Sequence, residues 1–145
     1  MQAPLIIGSD IRSISATALK TLSNKAAIAI NQDPAAYPPK VISKSNSSQV
    51  WARQLHNGDV AVAMINTGDS PVDITLLLSD VVCATCPRKA SVTDVWAGVD
   101  SLGSYGSNIR DSGSGASIDV ENSYTAKSVQ KHETILLRLT PSATA

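Results

Sequence analysis

Apolar residues follow two different rhythms on either side of residue 34. On the amino-terminal side, the wholly apolar stretch 3–7 runs into Gly8-Ser9-Asp10 and predicts a buried strand ending in a turn. Ser15 stands as an N-cap ahead of residues 16–22, where Leu19 and Leu22 lie three apart on one helical face. Asn24 precedes residues 25–31, a run rich in Ala and Ile that Pro34 stops. Strand, helix, helix is the pattern of a parallel α/β sheet, whose strands need neighbours on both sides. The rest of the chain holds no second βα unit to supply them.

Beyond residue 34 the helical signal disappears. Tyr37-Pro38-Pro39 and the polar run 43–49 read as a connector, and strands separated by turns follow. Residues 50–55 alternate, Asn57-Gly58 signals a hairpin, and 60–65 answers as a buried strand. Further strands are predicted at 72–78, 91–96, 116–120 and 134–139, with Thr67-Gly68-Asp69 and the Gly/Ser-rich stretch 98–115 between them. The expected bulk is an antiparallel β-sandwich with one long connection.

A chain of 145 residues can bury one ordinary core, about two thirds of its unfolded surface on size scaling. With 43% apolar and 17% charged residues, it does not have the composition of a disordered polyelectrolyte. Twelve Lys and Arg balance twelve Asp and Glu, so no net field favours a phosphate backbone, and nucleic acid is not expected as a partner. The apolar runs 26–30 and 76–78 fall far short of the roughly 20 residues of a membrane span, and no membrane association is expected. Five aromatic residues and no Phe leave the packing to Val, Ile, Leu and Ala. Met1-Gln2-Ala3-Pro4 shows neither a basic n-region nor an h-region, so no signal peptide is read. Cys83 and Cys86, three apart, suit either redox compartment.

Five segments, "APLIIGSDIRSIS", "NKAAIAINQDP", "VWARQLHNGDVAVAMINTGDSP", "VTDVWAG" and "HETILLRL", together resemble the C-terminal part of the family 27 glycoside hydrolases, the α-galactosidase and α-N-acetylgalactosaminidase family. The resemblance implies a mainly β fold, with residues 1–35 a remnant of a (β/α)8 barrel (its last strand and helices), 36–48 a linker, and 49–145 the C-terminal β-sandwich. The family's catalytic pair, an Asp nucleophile and an Asp acid/base, sits on earlier barrel strands, in a context resembling "KWDYC" and at a later Asp-containing strand end. Neither context occurs here. Retaining glycosidases need two carboxyl groups about 5–5.5 Å apart, and the family's two positions map onto none of the twelve acids, so no catalytic, substrate-binding or metal residue is assigned.

Ser9 and Asp10 fall at a barrel-type strand end, where the resemblance implies support of the pocket. Asp33, ahead of Pro34, is expected to bond local backbone amides. His56 and His132 lack companions at ligand spacing. Relatives often carry His-Gly before the final strand, whereas Glu133 follows His132 here, which implies an altered turn. Trp51 and Trp96 are expected in core or inter-sheet packing rather than as sugar platforms. Cys83 and Cys86 resemble a cysteine pair that relatives carry as a disulfide, often more widely spaced. The resemblance thus implies a small bridge, the alternative being two unpaired thiols. Asn46-Ser47-Ser48 is an N-glycosylation sequon on a polar connector. The stretch 98–115 lacks the Lys-Ser/Thr of a phosphate loop.

Two readings of function follow. In the first, the chain is a fragment of a secreted or lysosome-like α-galactosidase that releases terminal α-galactosyl residues from oligosaccharides or glycoconjugates. The missing barrel performs double displacement without a cofactor, a homo-oligomer is compatible with the reading, and the chain alone is inactive. In the second, the sandwich is a non-catalytic accessory or interaction domain.

Overall fold

The computed structural model describes residues 8–10, 12–81, 89–96 and 117–142. Two seven-residue helices, α1 (Ala16–Leu22) and α2 (Lys25–Asn31), start where the capping residues predict. The Ser15 hydroxyl accepts from the Ala18 amide at 3.2 Å, and Asn24 Oδ1 accepts from the amides of Ala26 and Ala27 at 3.0 and 3.1 Å. Neither helix has a buried residue, and Leu19 is 53% exposed.

The described residues then form β1 (Lys40–Lys44), β2 (Ser48–Gln54), β3 (Val60–Asn66), β4 (Val72–Leu77), a short α3 (Leu78–Val81), β5 (Lys89–Asp94), β6 (Ser117–Glu121), β7 (Ser123–Val129) and β8 (Thr134–Pro141). A six-stranded sheet has the order β1-β2-β3-β8-β5-β6 and a two-stranded sheet pairs β4 with β7, with every pairing antiparallel. In the centre Val60, Val62 and Met64 lie opposite Leu139, Leu137 and Ile135, and Val50 and Ala52 lie opposite Met64 and Val62. Alternation along the strand directs this set to one face, where it joins Ile74, Leu76, Tyr124 and Ala126 of the smaller sheet in one buried cluster. This is the expected sandwich.

Differences from the sequence reading have local causes. The segment expected as a connector contains β1, whose pairing with β2 skips Ile42 and turns that residue toward the core as a bulge. Strand β4 stops one residue early because Leu78, buried, opens α3. Strand β7 was not anticipated. Its apolar alternation, Tyr124 then Ala126, is broken by a bulge at Lys127 and Ser128, where two residues stand against Asp73 before Val129 meets Val72. Ser128 takes φ +49° there. The Asn57-Gly58 hairpin forms, but through a longer loop: Gly58 N–H donates to the Leu55 carbonyl, Leu55 N–H donates to the Asp59 carbonyl, and within this loop only Gly58 has positive φ. That is a turn with a G1 bulge, whereas a two-residue type I′ turn would need positive φ at Asn57 as well. Before β8, the turn implied to differ at Glu133 is closed by Glu133 N–H donating to the Gln130 carbonyl, and the Glu133 carboxylate accepts from the Gln130 amide. His132 carries the positive φ, at +60°. The strand expected at 3–7 and the stretch 98–115 lie outside the described residues.

Candidate functional site

Residues of opposite parity on the large sheet face away from the core. Trp51 and Arg53 of β2, Ala61 and Ala63 of β3, and Leu136 and Arg138 of β8 form an outer face that is apolar at its centre and cationic at its margin. The carboxyl end of α2 lies over it. The Ile30 carbonyl accepts from Arg53 Nη2, and a cavity of about 170 Å³ opens between Ile30, Pro39, Trp51, Ala61, Ala63 and Leu136.

Polar contacts hold the helical segment there. Asn24, besides capping α2, donates through Nδ2 to the Val95 carbonyl at 2.8 Å, just beyond β5. Asp33 is buried, and its carboxylate accepts from the Ala35 amide at 3.1 Å, from the His56 amide at 3.1 and 3.2 Å, and from His56 Nδ1 at 2.7 Å. Because a carboxylate only accepts, Nδ1 carries the proton. Burial pushes the Asp33 carboxyl up, but the hydrogen bonds from the His56 ring and from the His56 and Ala35 amides prevail and hold it below its ordinary value. Beside this loop Asp59, also buried, accepts from Arg138 Nε and Nη2 at 2.5 Å and from Asn57 Nδ2 at 3.0 Å.

Asp33 thus makes the expected local turn bond and adds a link across 23 positions to His56, which sequence spacing had left isolated. The turns "NQDP" and "LHNGD" each look ordinary alone, and only the fold joins them. Asp10 is exposed and bound by Arg12 through its amide, Nε and Nη2, each at 3.0 Å, so the Arg12 side chain and then its amide hold the carboxyl below its ordinary value. Ser9 is exposed as well. Trp51 and Trp96 are half-buried and absent from the inter-sheet core, contrary to expectation. Trp51 follows the outward parity of β2, and its Nε1 donates to Gln49 Oε1 at 3.0 Å. His132 lies 3.6 Å from Asp69 on the surface. Asn46 is exposed in the β1–β2 turn, and Cys83 and Cys86 lie outside the described residues. Among the described residues no group of three or more His, Cys, Asp or Glu is placed to hold a metal.

Each of these acids is committed to a cationic or amide partner: Asp10 to Arg12, Asp33 to His56, Asp59 to Arg138. Such anions fasten backbone and loops.

Fold and site together define a two-sheet antiparallel β-sandwich domain with a helical lead-in fastened to its outer face. The family described as the alpha galactosidase C-terminal beta sandwich domain matches residues 45–139, and the chain belongs to it. A probable α-galactosidase of Dictyostelium discoideum is 30% identical over 98% of this chain and 33% of its own length. An α-galactosidase of Coffea arabica is 40% identical over 66% of this chain and 25% of its own. The crystal structure of α-galactosidase I from Mortierella vinacea superposes with a TM-score of 0.76 at 28% identity, covering 99% of this chain and 33% of that one. A family 27 β-L-arabinopyranosidase from Geobacillus stearothermophilus, at 20% identity and TM-score 0.75, shares the fold. The chain therefore corresponds to the C-terminal part of family 27 glycoside hydrolases, and it spans about a third or less of the length of these relatives.

Proposed function

We propose that this chain serves an α-galactosidase that releases terminal α-D-galactosyl residues with retention, and that its own part is to brace the barrel while the two catalytic carboxylates lie outside these 145 residues. The observation that carries the reading is the match of residues 45–139 to the α-galactosidase C-terminal sandwich. In the reaction one carboxylate attacks the anomeric carbon while the other protonates the leaving oxygen, and the second then activates water against the glycosyl-enzyme. Residues 1–35 complete the barrel and 49–145 form the supporting domain. The outer face with Trp51 and Leu136 then turns toward the barrel, since α2 lies on that face. The parent enzyme works in a secreted or lysosome-like setting, where Cys83 and Cys86 form a short bridge.

The test has two arms. Purified alone, the chain leaves p-nitrophenyl α-D-galactopyranoside intact. Grafted in place of the corresponding C-terminal third of the Mortierella vinacea enzyme, it supports hydrolysis of that substrate. Activity in the isolated chain overturns the placement of the carboxylates. A folded, soluble graft without activity favours the accessory-domain reading.

A further inference from the structure

We infer that Asn46 is an N-linked glycan acceptor on chain that passes through a eukaryotic secretory lumen. Asn46-Ser47-Ser48 is the one Asn-x-Ser/Thr in the 145 residues, and the fold exposes its Asn in the β1–β2 turn. The β1–β2 turn is built by its serines. The Ser45 hydroxyl accepts from the amides of Ser47 and Ser48 at 3.3 and 3.0 Å and lies 2.9 Å from the Ser48 hydroxyl, and the Ser45 amide donates to the Ser48 carbonyl at 2.8 Å. Ser47 faces the molecule: its carbonyl accepts from the Thr67 amide at 2.8 Å, and its Cβ would be 3.0 Å from a Cβ added at Gly68. Asn46, one residue earlier, is exposed, and its side-chain amide makes no hydrogen bond to a described residue. Asn46 and Ser47 lie between the two serines whose hydroxyls close the turn, and of these two Asn46 is the exposed one.

The step is a transfer from a polyprenyl-diphosphate oligosaccharide by the host transferase. Asn46 Nδ2 forms a bond to the anomeric carbon, the bond from that carbon to the diphosphate oxygen breaks with its electron pair, and the amide proton passes to a base of the transferase. The attached sugar stands at the end of β1, an edge strand whose Val41 is half exposed.

The inference rests on the sequon and the turn geometry, not on hydrolase activity. The full 145-residue chain, fused to a cleavable signal sequence, is secreted from yeast, and its intact mass is compared before and after peptide-N-glycosidase treatment. One discrete added mass is expected, removed by the enzyme with conversion of Asn46 to Asp. It should be absent in Asn46→Gln and retained in Ser48→Thr, with far-ultraviolet circular dichroism shared by all three. Folded, secreted chain with unmodified Asn46 overturns the inference, as does a glycan mass that persists in Asn46→Gln.

Discussion

Asn66 shows how much of this fold rests on single polar side chains. It is buried at the end of β3, with Nδ2 donating to the Ser70 and Val129 carbonyls at 2.8 and 2.9 Å and Oδ1 accepting from the Gly68 amide at 2.8 Å. Truncation leaves all three backbone groups without that partner, and a buried group left unpaired costs about 1–3 kcal/mol. Asn66→Ala should therefore destabilise the sandwich by about 3 kcal/mol in urea unfolding, near the upper end of ordinary single substitutions. A loss under about 1 kcal/mol would show that the turn relaxes to re-pair these groups. Asp33 has a pH signature. Its folded carboxyl lies below the ordinary 3.8, so its contribution is complete above that pH and is lost as pH falls through the folded value. The stability gap between the wild-type chain and Asp33→Asn should narrow as pH falls below about 3.8. A gap unchanged at lower pH would mean that the His56 and Ala35 bonds do not favour the anion.

At the scale of elements, what the sequence made legible depended on whether the hydrophobic period ran unbroken. The central strands β2, β3 and β8 keep strict or near-continuous apolar patterns and were readable, as were α1 and α2, each marked by a local cap. Strands β1 and β7 were hidden by bulges, since an extra residue reverses the parity that a period-two reading depends on. The outer-face links were hidden for another reason. Asp33 to His56 and Asn24 to Val95 are contacts of tertiary origin with no spacing signature. The β7 bulge is testable as an element. Asp73 Oδ1 accepts from the Ser128 amide and Oδ2 from Lys127 Nζ, both at 2.8 Å, and the Lys127 and Ser128 donors hold its carboxyl below the ordinary value. In Asp73→Ala the Ser128 amide should lose hydrogen-exchange protection while Tyr124 and Ala126, on the regular part of β7, keep theirs. Uniform loss along β7 would show that the carboxylate holds the whole strand pair rather than the bulge. His132, at φ +60°, is a second such position. Left-handed backbone costs an L-residue about 1–2 kcal/mol, so His132→Gly should stabilise by about 0.5–1 kcal/mol after the added chain entropy of Gly.

For the whole molecule, the described residues divide into a packed inter-sheet core and a helical segment fastened to its outer face. The buried cluster is drawn from strands β2 to β5, β7 and β8 together with Leu78, and no residue of α1 or α2 is in it. The helical segment is instead held by discrete polar links at Asn24, Asp33 and Arg53, set around an apolar outer face. A segment attached this way should open separately from the core. Combining Asn24→Ala with His56→Ala removes the α2 cap, the Val95 link and the imidazole bond to Asp33, yet touches nothing in the inter-sheet cluster. In hydrogen exchange the amides of Ile28 and Gln32, which close the first and last turns of α2, should lose at least about tenfold protection, the cap alone being worth about 1 kcal/mol. Val62 and Leu137 at the sheet centre should exchange as in the parent chain. If the sheet centre loses protection in step with α2, helices and sandwich are one cooperative unit, and the outer face contributes to the core as much as the inner one does.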